Sequence, residues 1–191
     1  MIPDLPEAEK KIFFQYLDNS KVYFEYGSGG STYEAFKRTN IQKIYAVESD
    51  MFWVNKLYAN GIPKNSDRVQ ILYIDIKAEK NKYGYPGKNS TYEDWIKYSR
   101  AFGNLESSIK KEVDFILIDG RFRVACALNL LKEISENTIV AFDDFFNRKH
   151  YHIVLDYFDV VERVGRMAFF KKKNIDPPSE ELIFKYENLP N

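Results

Sequence analysis

Val22-Tyr23-Phe24-Glu25-Tyr26-Gly27-Ser28-Gly29-Gly30-Ser31 decides the reading of this chain. Five residues rich in β-branched and aromatic side chains run straight into three glycines, the mark of a strand that ends in a tight turn. A helix is expected directly after it, over about 32–38, so the turn lets a ligand press against main chain at a helix start. The spacing Gly27-x-Gly29-x-x-Thr32 lacks the third glycine of the dinucleotide fingerprint, and Glu25 ahead of the turn would repel a pyrophosphate. A ligand carrying positive charge suits that acid better.

Working outward, strand-length apolar runs recur at 43–48, 69–74, 113–118 and 137–142, and most are separated by segments with helical spacing. That is the rhythm of parallel strands joined by helical crossovers. The run 113–118 is the most apolar, as befits a central strand covered on both faces. Near the end, 160–164 and 167–170 are separated only by residues around Gly165, too few for a parallel crossover, so they are expected to pair antiparallel. The fold class is therefore α/β, a mostly parallel sheet that finishes in an antiparallel hairpin.

Composition sets the outer limits. A chain of 191 residues, 45% of them hydrophobic, is enough for one good core, and a single domain over 1–191 is expected. Its 28 basic and 28 acidic residues cancel, so no global positive field draws it onto nucleic acid or anionic lipid; neither is expected as a partner. The lone Cys126 lies in the apolar run 124–128 and reads as buried packing. No membrane span or export signal is visible, and a cytoplasmic location is expected. Residues 77–112 form a long connection, read as a substrate-side insertion, and 174–191 as a tail lying over the surface.

In open parallel sheets ligands bind beyond the carboxyl ends of the strands, where strand order reverses. The residues there are Glu25 with its glycines, Glu48, Asp75, Asp119 and the pair Asp143-Asp144. Glu48 closes the second strand and suits both hydroxyls of a ribose; Asp75, ending the third, suits an adenine. This ordered set, with Leu117-Ile118-Asp119-Gly120 and the terminal hairpin, resembles the class I S-adenosylmethionine-dependent methyltransferases over about 20–172. The resemblance implies a seven-stranded Rossmann-like sandwich and S-adenosylmethionine as cofactor. It implies that Glu25, Gly27 and Gly29 face the methionine part and Glu48 the ribose, with Ser28, Ser31, Ser49, Asp75, Ile76 and Asp119 completing that site.

Asp119, Asp143 and Asp144 end neighbouring strands and offer hard oxygen ligands suited to Mg²⁺ or Mn²⁺. Ile118-Asp119-Gly120 with Phe142-Asp143-Asp144 is similar to the cation-dependent O-methyltransferases, which implies an ion that holds the acceptor hydroxyl. Arg121 departs from that pattern. Asp119, Asp144, His150 and His152 are the candidates for removing the acceptor proton. Arg121, Tyr85 and Trp95 are candidates for touching the acceptor, a small molecule or glycan. Asn89, Ser90 and Thr91 tilt the expectation toward a sugar hydroxyl. The rival readings are a nucleotide- or NAD-dependent oxidoreductase of the same architecture, and a nucleoside-binding module without turnover.

Overall fold

A computed structural model describes residues 1–80 and 82–190; Asn81 of the insertion and Asn191 of the tail lie outside the described residues. The strands are β1 Val22–Tyr26, β2 Lys43–Glu48, β3 Val69–Tyr73, β4 Phe115–Ile118, β5 Ile139–Phe142, β6 Phe158–Val164 and β7 Met167–Lys172. They form one seven-stranded sheet in the order β3-β2-β1-β4-β5-β7-β6. β1 to β5 run parallel, and β7 pairs antiparallel with both β5 and β6. The expected architecture is thus the observed one, with β1 and β4 side by side where the strand order reverses.

Alternation along the central strands builds two cores. Tyr23, Phe115 and Leu117 point to one face, and Phe24, Ile116 and Ile118 to the other. The first face is covered by α1 Glu7–Asn19, α2 Gly30–Lys37 and α3 Met51–Ala59. α1 packs through Phe13 and Leu17, an i,i+4 pair, and burying each such side chain stabilises the fold by about 1.5–3 kcal/mol. The second face is covered by α4 Tyr92–Ser99, α6 Arg123–Leu130 and α7 Glu180–Glu187, with a 3₁₀ stretch over Lys149–Asp156. A short α5, Ser107–Glu112, leads into β4.

Both terminal segments are engaged with the rest of the fold. The tail carries α7, which buries Ile183, and its Glu187 accepts hydrogen bonds from Arg100 Nε at 2.7 Å, Tyr92 Oη at 2.8 Å and Ser99 Oγ at 3.0 Å. The segment before α1 is also engaged. A β-carbon on Gly30 would lie 2.3 Å from Ile2 and Pro3, so residues 1–4 lie flat against the start of α2.

Candidate active site

A cavity of about 410 Å³ opens at the carboxyl ends of β1, β2, β4 and β5, a size usual for small-molecule sites. Gly27, Ser28, Gly29, Ser31, Glu48, Ser49, Asp119, Arg121, Asp143 and Asp144 all line it, so most of the expected residues do converge. Gly27 has φ 92°, and a β-carbon there would sit 2.8 Å from the main chain of Asp119 and Gly120; only glycine lets the two strand ends meet. Gly29 differs. A β-carbon there would meet nothing closer than the Trp53 ring at 3.8 Å, so this side of the turn faces open cavity.

Glu25 lies behind the turn and not on the cavity wall. Its Oε2 accepts hydrogen bonds from Tyr23 Oη at 3.0 Å and Ser31 Oγ at 2.5 Å, while its Oε1 is buried without a partner. Burial pushes its carboxyl up to about 8 against the pull of those donors. The acid therefore anchors the start of α2 from beneath.

Glu48 is buried at the end of β2 with four donors on its carboxylate. Ser28 N at 2.9 Å and Ser28 Oγ at 2.8 Å donate to Oε2; Ser49 N at 2.7 Å and Asp50 N at 2.8 Å donate to Oε1. Burial raises its pKa, and these hydrogen bonds oppose the rise. Ser28 Oγ is the one donor not fixed in main chain. The insertion folds over this end of the site: Ser49 Oγ donates to Gly84 O, and Tyr83 reaches the cavity rim.

The carboxylates beyond β4 and β5 are held quite differently. Arg123, the first residue of α6 and almost fully buried, places Nη2 2.9 Å from Asp119 Oδ1 and Nη1 3.6 Å from Asp144 Oδ2. It also donates through Nε to Gly120 O at 3.0 Å and through Nη1 to Asp143 O at 2.9 Å. Arg166, from the β6–β7 turn, reaches Asp144 Oδ1 at 3.0 Å and Asp143 Oδ1 at 3.4 Å, and Arg148 reaches Asp144 Oδ2 at 2.7 Å. Burial raises the Asp119 carboxyl, Arg123 opposes that, and Asp143 and Asp144 reinforce it. Two backbone positions here, Phe122 at φ 53° and Asp144 at φ 60°, stand in the left-handed region, which costs about 1–3 kcal/mol each. Strain of that kind survives where surrounding structure dictates the geometry.

These arginines decide the metal question. Among the described residues no group of three or more His, Cys, Asp or Glu side chains is placed to hold an ion. Asp119, Asp143 and Asp144 do meet, as expected, but guanidinium groups occupy the space between their oxygens. The donor set does not fit Mg²⁺ or Mn²⁺.

Several other expectations are corrected by the packing. His150 is exposed, and His152 is half-buried against the Phe145 ring at 5.2 Å; neither lines the cavity. Asp75 is exposed and paired with Lys77, since β3 ends at Tyr73, while Ile76 is core. Trp95 donates from Nε1 to Ser90 Oγ at 2.6 Å and packs on Phe122, and Tyr85 is exposed away from the cavity. Thr91 caps α4, so Ser90 and Thr91 have structural work and the sugar preference loses its support. Residues not anticipated at the site are Trp53, Lys56, Tyr98, Arg166 and the segment 1–4.

No protein-family model matches the sequence, and no curated protein is similar to it in sequence. Among solved structures, the chain is similar to a methyltransferase-like protein from Silicibacter pomeroyi DSS-3, with 28% identity and a TM-score of 0.84, covering 98% of this chain and 97% of that one. It is also similar to a ribosomal protein L11 methylase from Lactobacillus delbrueckii subsp. bulgaricus, with 12% identity, a TM-score of 0.54, and coverage of 88% and 79%. The N-methyltransferase NodS from Bradyrhizobium japonicum WM9 gives 13% identity, a TM-score of 0.52, and coverage of 89% and 99%. The last two likenesses show the fold alone, a Rossmann-like methyltransferase fold.

Proposed function

We propose that this protein transfers a methyl group from S-adenosylmethionine to an oxygen of a small-molecule acceptor. The observation that carries the reading is the single cavity at the strand-order reversal, which joins an open glycine turn and Glu48 on one side to Asp119 on the other. The methyltransferase-like relative covering nearly the whole chain supports methylation as the chemistry.

The residues present suit the cofactor. The open side of Gly29 leaves room for a ligand to lie on the turn, with the flat Trp53 ring beside it. A carboxylate offers about four acceptor positions, and Glu48 already fills that number, so one ribose hydroxyl donates to it by displacing Ser28 Oγ. When bound, S-adenosylmethionine supplies an electrophilic methyl on a sulfonium. Asp119 takes the acceptor's proton: Arg123 holds Oδ1, which leaves Oδ2 for the hydroxyl, and the raised pKa of this carboxyl makes it a better base than an ordinary aspartate. Arg123 and Arg166 keep the three aspartates in place, and no step passes through a metal.

The test is mass spectrometry of an acceptor panel of phenols, hydroxy acids, sugars and nucleosides incubated with the protein and S-adenosylmethionine. A product heavier by one CH₂, formed by wild type and reduced by about 10²-fold or more in Asp119→Asn, is the expected result. Products methylated only on nitrogen would overturn the assignment to oxygen.

A further inference from the structure

Arg121 is the one cavity-lining arginine left without an acid. Arg123 takes Asp119, Asp143 and Asp144; Arg166 takes Asp143, Asp144 and Glu9; Arg148 takes Asp144. Arg121 makes no ion pair among the described residues, and its buried Nε has no hydrogen-bond partner. Its main chain is anchored, with N donating to Tyr98 Oη at 3.4 Å and O accepting from Cys126 Sγ at 3.4 Å, so the side chain is presented from a fixed point. Removal from water and the nearby Arg123 both lower its pKa, the expected cost of holding a half-buried guanidinium with nothing to neutralise it. A free surface arginine would escape that cost by turning outward.

We propose that Arg121 is an anion receptor, and that the acceptor carries a carboxylate or phosphate group which this guanidinium grips while the neighbouring hydroxyl lies at Asp119. The assignment of the anion to the acceptor rests on the methyl-transfer reading; the anion site itself does not. Guanidinium suits both oxyanions because its fork of N–H donors matches two oxygens at once. The three aspartates do not repel such a group, since three other arginines already neutralise them. The cofactor also has a carboxylate, and a second cation, Lys56, lines the cavity with its Nζ over the Trp53 ring that borders Gly29.

The experiment follows arginine Nε–H resonances of the whole protein by NMR, with the Arg121 signal identified by its loss in Arg121→Gln. Inorganic phosphate and benzoate are titrated in separately, and S-adenosylhomocysteine affinity is measured for both proteins. The expected result is a saturable shift of the Arg121 signal, anion affinity at least about tenfold weaker in Arg121→Gln, and S-adenosylhomocysteine affinity within about twofold of wild type. The Gln variant should melt no lower than wild type, which shows that it folds. No saturable shift with either anion would overturn the proposal. A tenfold loss of S-adenosylhomocysteine affinity would also overturn it, by giving the guanidinium to the cofactor's carboxylate. Anion binding that persists in a protein with no S-adenosylhomocysteine affinity would sink the methyl-transfer reading and leave the anion site standing.

Discussion

Glu48 at the end of β2 and Asp119 at the end of β4 are carboxylates of the same cavity, yet main-chain N–H groups hold the first and a guanidinium holds the second. The donors on Glu48 come from Ser28, Ser49 and Asp50, two of them its immediate neighbours in sequence. The donors on the aspartates are the guanidinium groups of Arg123, four positions after Asp119, of Arg148, four after Asp144, and of Arg166 in the β6–β7 turn. One half of the site is thus built mostly by fixed main-chain amides and is a rigid seat. The other half is built by charge pairing between side chains, so its carboxylates stay close together without an ion and one of them keeps a raised pKa.

The sharpest way to break this contrast is Arg123→Met. It leaves buried Asp143 beside Asp119 and Asp144 with their central cation gone, a loss of about 3 kcal/mol in stability. Denaturant unfolding checks the size, and a loss below about 1 kcal/mol would mean the acids do not depend on this arginine.

Glu25 offers a smaller and pH-dependent test. Its folded pKa is about 8 against 4.5 in the unfolded chain, so the native state binds the extra proton between those values. Stability therefore falls as pH rises through that window and levels off above it, by up to about 1.4 kcal/mol per pH unit for one proton. Glu25→Gln should flatten that slope and leave S-adenosylhomocysteine affinity nearly unchanged, because the residue lies behind the turn. A large affinity loss without a change in slope would move Glu25 to the cavity side.

The smallest expected effect is that of chelation. Excess EDTA, after removal of bound metal, should leave both stability and methyl transfer unchanged. Activity lost on chelation and restored by Mg²⁺ or Mn²⁺ would show that an ion displaces the arginines.

The same contrast explains what was legible in the sequence. The glycine turn, Glu48 at its strand end and the terminal hairpin were readable because each is marked by residues a few positions apart. Asp119, Asp143 and Asp144 were readable as neighbours, since they end adjacent parallel strands, but the reach of Arg123 across to Asp144 and of Arg166 to both Asp143 and Asp144 was not. Nothing in the sequence ties Arg166 to Glu9 across more than 150 positions, yet Arg166 N donates to Glu9 Oε1 at 2.8 Å. The histidines misled because a 3₁₀ stretch leaves His150 exposed and seats His152 against Phe145, away from the cavity. Asp75 misled by a one-residue difference in where β3 stops. The insertion's polar residues were recognisable as polar, but their use as a helix cap and a tryptophan partner depends on local turns.

The central claim is that the glycine turn and Glu48 bind the adenosyl cofactor. Calorimetric titration with S-adenosylhomocysteine tests it most directly, in wild type and in Glu48→Ala. The account predicts one ligand per chain and a loss of about 1–3 kcal/mol in the variant, the worth of hydrogen bonds to a charged acceptor. Equal affinity in the two proteins, or tighter binding of NAD than of S-adenosylhomocysteine, would contradict it.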